Sequence, residues 1–170
     1  MRFATALPLA ALVVAAACDD TRPEQLPTAP LSVASDAVSA YVAVSNANPA
    51  IGSEVTVFVR ARRGSAVGPI GSFTIRLAYD STRLRFKDAA RSEFGMVMAN
   101  GANAGLLVAA GASATGFTND ELLSATFVAT SANALTPLNL TVSELNSVTF
   151  TDQTSSLRVA RGLYRDASSK

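Results

Sequence analysis

The 170-residue chain has no histidine, no tryptophan and one cysteine. Without histidine it lacks the commonest general base, the commonest transition-metal ligand and one half of every Ser-His or Cys-His nucleophile pair. A single cysteine closes no intramolecular disulfide, so the fold must be held by burial alone. A domain of roughly 120 residues buries about two-thirds of its unfolded surface, which suffices without staples. An excess of either charge is missing too: fourteen Lys and Arg stand against thirteen Asp and Glu. Loss of Arg2 with a leader peptide would leave thirteen against thirteen. Nucleic-acid binding, which needs a basic face to displace counterions, is not expected. Basic residues cluster locally at Arg60, Arg62 and Arg63, which read as a solvated strand edge that discourages edge pairing.

The carboxylates offer no catalytic pair. Asp120 and Glu121 are adjacent, and neighbours on a strand point to opposite faces, so they cannot jointly flank a scissile bond. Asp80 and Asp88 read as turn residues in the same way. No enzyme, metal or cofactor is expected, and no Asp-x-Asn-x-Asp calcium loop is present.

What the chain does have begins at its amino terminus. Arg2 supplies a positive start, and Phe3 to Val14 an apolar stretch too short to span a bilayer as a helix. Val13-Val14-Ala15-Ala16-Ala17-Cys18 places small residues directly before the only cysteine and resembles the lipobox of bacterial lipoproteins, with Ala15 where leucine is usual. Residues 1–17 are therefore expected to be a signal peptide and Cys18 the lipidated residue, anchoring the mature protein on a membrane it does not cross. Asp19 and Asp20 resemble an inner-membrane retention signal of enterobacteria, a rule that varies between phyla, so inner and outer membrane both stay open. Residues 18–36, punctuated by Pro23, Pro27 and Pro30, read as a tether that could reach ~50 Å at about 3.1 Å per residue.

From residue 37 to 164 the pattern has period two. Val55, Val57, Val59 and Ala61 alternate with Glu54, Thr56, Phe58 and Arg60. Phe73, Ile75, Leu77 and Tyr79 share one face, Leu84 and Phe86 return inward after Asp80-Ser81-Thr82, and Leu123, Ala125 and Phe127 repeat the rule. Leu138, Leu140 and Val142 alternate with Asn139, Thr141 and Ser143. Strands are expected over 38–45, 53–62, 71–79, 84–87, 94–98, 105–111, 122–130, 137–143 and 157–163, with Val148 to Phe150 bent or paired at an edge. The fold class is all-β, a nine-stranded, antiparallel-dominated sandwich. Residues 165–170 read as a polar tail.

Three segments give this pattern a likeness. Ala50-Ile51-Gly52-Ser53-Glu54-Val55-Thr56-Val57, Gly71-Ser72-Phe73-Thr74-Ile75-Arg76-Leu77-Ala78-Tyr79-Asp80-Ser81-Thr82-Arg83-Leu84 and Asn119-Asp120-Glu121-Leu122-Leu123-Ser124-Ala125-Thr126-Phe127 resemble, in order and spacing, the cohesin domain, the module that docks dockerin-bearing proteins in cellulosome scaffolds. The match spans about Ala40 to Leu163. It implies a jelly-roll topology and a partner-binding sheet face made by the third, fifth, sixth and eighth strands. That face would carry Ser72, Thr74, Arg76, Asn139, Thr141 and Ser143 together with the 94–98 and 106–110 strands. Scaffold cohesins of the first type place an Asn and an Asp on the third strand where this chain has Ser72 and Thr74, so charge-assisted contacts from that strand are missing.

The function so implied is non-catalytic: a lipid-anchored, extracytoplasmic module that meets a dockerin-like or other extracytoplasmic protein, in a setting linked to polysaccharide degradation. Two alternatives remain at this level, a carbohydrate-binding module and a structural envelope subunit. Sugar binding would need exposed aromatic rings, and Phe58 is the one ring that the alternation turns outward.

Overall fold

The structure, a computed structural model, describes residue 26 and residues 32–90, 95–117, 120–135 and 138–166. The proposed signal peptide, Cys18 and residues 167–170 lie outside the described residues.

The described residues form nine strands: β1 (Val38–Val44), β2 (Glu54–Arg63), β3 (Ile70–Tyr79), β4 (Leu84–Ala89), β5 (Met96–Asn100), β6 (Leu106–Ala112), β7 (Glu121–Ala129), β8 (Leu138–Ser147) and β9 (Leu157–Arg165). They make a five-stranded sheet in the order β4-β7-β2-β1-β9 and a four-stranded sheet in the order β5-β6-β3-β8. All pairings are antiparallel except β1 with β9. This is the expected sandwich, with strand bounds displaced by a few residues at most.

Alternation sets which side chains fill the space between the sheets. Val55, Val57, Val59 and Ala61 of β2 face Phe73, Ile75 and Leu77 of β3, all essentially buried. Valine and isoleucine suit such pleated surfaces because branching at Cβ fits the strand backbone. Phe127 is fully buried and receives the edges of Tyr79 and Phe86 at centroid distances of 5.1 and 5.6 Å. The β3–β4 turn is built as its sequence suggests. Asp80 Oδ1 accepts the Thr82 N–H at 2.9 Å and the Thr82 hydroxyl at 2.6 Å, and Leu84 re-enters the core fully buried.

Three expectations change. The arginine cluster is not a solvated edge, because β2 lies between β1 and β7, Arg60 and Arg62 have anionic partners, and Arg63 donates to the Val67 carbonyl at 3.1 Å. Arg60 bonds Asp166 at 2.8 Å and Glu121 at 3.4 Å, and Arg62 meets Asp120 at 3.5 Å. The polar tail begins later than residue 165, since β9 continues through Arg165 and Asp166 is 4% exposed. Order also begins before residue 37: Ser35 C=O accepts the Ala66 N–H at 2.8 Å, and Leu26 is partly buried against the core. Of the two alternatives for Val148 to Phe150 the bent one holds: the segment is a turn, with Phe150 at φ 60°.

Candidate functional site

The outer surface of the four-stranded sheet brings the predicted face together. β3 and β6 are its central strands, so the cross-strand register fixes the neighbours of each outward side chain. Arg76 sits between Val108 of β6 and Thr141 of β8, Thr74 between Ala110 and Glu144, and Ala78 between Leu106 and Asn139. Met96 and Met98 of β5 stand opposite Ala112 and Ala110. Ser72, Thr74, Arg76, Asn139, Thr141 and Ser143 all lie on this one face, and none of the six is buried.

The face has two halves. On the β5 side Met96 and Met98 are 71% and 72% exposed beside small alanines, a flexible apolar patch. On the β8 side the groups are polar and centred on Glu144. Its carboxylate accepts the Thr74 hydroxyl at 3.1 Å, the Ser72 hydroxyl at 3.4 Å and the Asn146 amide at 2.8 Å. Between the halves stands Arg76, exposed and with no hydrogen bond or ion pair among the described residues.

Sequence reasoning missed Glu144 because β8 contains a bulge. Thr74 pairs with Glu144 and Ile75 with Val142, so Ser143 is an extra residue. Two successive side chains, Ser143 and Glu144, therefore point outward, and the Ser143 hydroxyl bonds the Thr74 carbonyl at 3.2 Å. The break in alternation ends the predicted strand at residue 143, although β8 runs on through Leu145 to Ser147. Glu144 of β8 thus sets a carboxylate beside the Ser72 and Thr74 hydroxyls of β3. Polarity continuing past residue 143 was the one available signal.

The opposite sheet presents a different surface. Phe58 does point outward, but the Arg60 guanidinium lies 5.1 Å from its ring centre and covers it. Tyr41, buried, packs edge-on against Tyr164 at 5.4 Å. Desolvation raises the Tyr41 hydroxyl pKa, opposed by the charges of Arg62 and Arg60. Asp120 and Glu121 serve these arginines, and among the described residues they belong to no cluster of three able to hold a metal ion. Among the described residues this surface is a lattice of ion pairs and packed rings, in which Phe58 is covered by Arg60 and Tyr41 is buried. The exposed ring that sequence reading overlooked is Phe150, 89% exposed at a loop tip.

No protein-family model and no curated sequence matches the chain. Solved structures do. A non-cellulosomal cohesin from the archaeon Archaeoglobus fulgidus superposes with a TM-score of 0.55 at 16% identity, over 72% of this chain and 86% of its own. The sixth cohesin of Acetivibrio cellulolyticus scaffoldin B, solved with a Cel5 dockerin variant, gives 0.53 at 15% identity over 75% and 99%. The seventh ScaB type I cohesin from Pseudobacteroides cellulosolvens gives 0.54 at 14% identity over 77% and 94%. The chain is similar to these modules in fold.

Proposed function

We propose that this cohesin-like sandwich is a non-catalytic module that binds another extracytoplasmic protein through the outer face of β5-β6-β3-β8, held at the cell envelope by lipid on Cys18. The observation that carries the reading is the composition of that face: two strongly exposed methionines, one cation without a partner among the described residues and an oriented carboxylate lie together on a four-stranded sheet. Exposed apolar side chains bounded by polar ones mark interaction surfaces. Flat sheets of this size suit a helix of the partner, with apolar residues over Met96 and Met98, an acid at Arg76 and a donor at Glu144. One of the similar cohesins was solved with a dockerin, which makes dockerin-type helices the first partners to test. Glu144 stands in for the β3 acid of scaffold cohesins, so the face keeps a negative pole although Ser72 and Thr74 are neutral.

The lipoprotein part rests on the sequence before Cys18 and on the proline-punctuated segment that follows. A polysaccharide-degrading setting is a corollary of dockerin partnership.

The test is surface plasmon resonance of the mature chain against a panel of dockerin modules. At least one should bind, and Arg76→Glu with Met98→Asp should weaken it by about thirtyfold or more, as loss of a central anchor does. Binding unchanged by the double substitution, or absent across the panel, would refute the reading.

A further inference from the structure

An edge strand of a sheet exposes backbone N–H and C=O groups that can pair with another chain. The two sheets of this sandwich leave four such strands, β4 and β9 in one and β5 and β8 in the other. Three of them carry devices that block pairing. β4 presents exposed Arg85, Lys87 and Asp88, and its register shifts between Phe86 and Asp88. β8 is bulged at Ser143 and carries Glu144. β9 presents exposed Arg158, Arg161 and Arg165, and its register against β1 breaks between Val159 and Leu163. Charges and bulges are the means by which natural edges avoid one another.

β5 has neither. Met96-Val97-Met98-Ala99-Asn100 contains no charge and no proline, and it runs in unbroken register along β6, from Met96 opposite Ala112 to Asn100 opposite Val108. Its other side meets no strand among the described residues. Met96 and Met98 are strongly exposed on the outer face, and Val97 and Ala99 are only partly buried where they pack on the core. A regular, apolar edge of this kind is a template for one more strand.

We infer that β5 pairs with β5 of a second copy of this chain, antiparallel and two-fold symmetric about Met98, so that two four-stranded sheets join edge to edge. Three features select a second copy over a foreign strand. Under that symmetry Met98 lies opposite its own counterpart, and each Val97 lies opposite the Ala99 of the other copy, which extends the cover over both partly buried side chains. With no charge on β5, no like pair meets across the axis. The assembly also closes at two, because its outer edges are then the two β8 strands, bulged and charged. Met96 and Met98 of both copies form one stripe across the joint, and two outer faces stand side by side. The inference is independent of what that face binds, since pairing uses the backbone groups of the edge and leaves the face open.

The experiment is sedimentation equilibrium of the mature chain carrying Cys18→Ser, which removes the acyl acceptor and any intermolecular disulfide. Concentrations run from about 10 to about 500 µM, the range suited to an interface at the small end of the specific class. A monomer–dimer equilibrium should appear within that range. Met98→Lys and Met98→Glu, both at a strongly exposed position, should each weaken self-association at least about tenfold, because like charges then meet at the axis. An equimolar mixture of the two variants should recover dimer, because opposite charges then meet there. A chain that stays monomeric throughout, a dimer indifferent to both substitutions, or a mixture no more associated than its components would each overturn the proposal.

Discussion

Asp80 and Asp152 share one device: each is followed two residues later by a threonine that donates both its hydroxyl and its backbone N–H to the aspartate Oδ1. Both carboxyls are held below the ordinary 3.8, first by the threonine hydroxyl and then by the N–H. A carboxyl depressed on folding contributes stability above its unfolded pKa and loses it as pH falls through the folded value. Melting temperature should therefore drop as pH falls from about 5 to below 3.8, and the Thr82→Val, Thr154→Val double variant should flatten that dependence. An equally steep fall in the double variant would show that other groups carry it. Arg60 is the residue on which the opposite face depends, since it partners buried Asp166 and covers Phe58. Arg60→Ala removes the 2.8 Å ion pair from buried Asp166, and chemical denaturation should show a loss of about 3 kcal/mol. Tyr79, Leu84 and Phe127 were legible in the sequence because alternation and turn chemistry are local. The partners of Arg60 were not, because Asp166 is distant in sequence and reads as tail.

Among the elements, β8 explains where sequence reading stopped. Strict alternation is what makes a strand visible, and the bulge at Ser143 breaks it while leaving Leu145 and Ser147 buried beyond. Removing Ser143 restores alternation, with Val142 inward, Glu144 outward and Leu145 inward. The Ser143 deletion should fold and lose no more than about 2 kcal/mol by urea titration. An unfolded product would show that the bulge is required by the sheet. β5 begins two residues later than the 94–98 its sequence suggests, since Met96-Val97-Met98-Ala99-Asn100 alternates too weakly in polarity to fix its ends. The division of strands between the sheets was available only through the cohesin resemblance, because pairings such as β1 with β9 join distant segments that leave no local trace.

At the scale of the whole molecule, three surfaces separate: a lattice of ion pairs and rings on the five-stranded sheet, an edge groove between β8 and β9, and an open mixed face on β5-β6-β3-β8. Among the described residues the last combines breadth with unpaired chemistry for a protein partner, and the lipid proposed on Cys18 would present it above a membrane. Labelling with radioactive palmitate should mark the wild-type chain and not Cys18→Ala, and label retained by Cys18→Ala would exclude the anchor. The central claim is the binding face, and hydrogen exchange of the chain with and without a bound dockerin-type partner tests it most directly. Added protection should fall on β3, β5, β6 and β8, strongest around Arg76, Met98 and Glu144. Protection confined to β1, β2 and β7, with the four-stranded sheet unchanged, would contradict it.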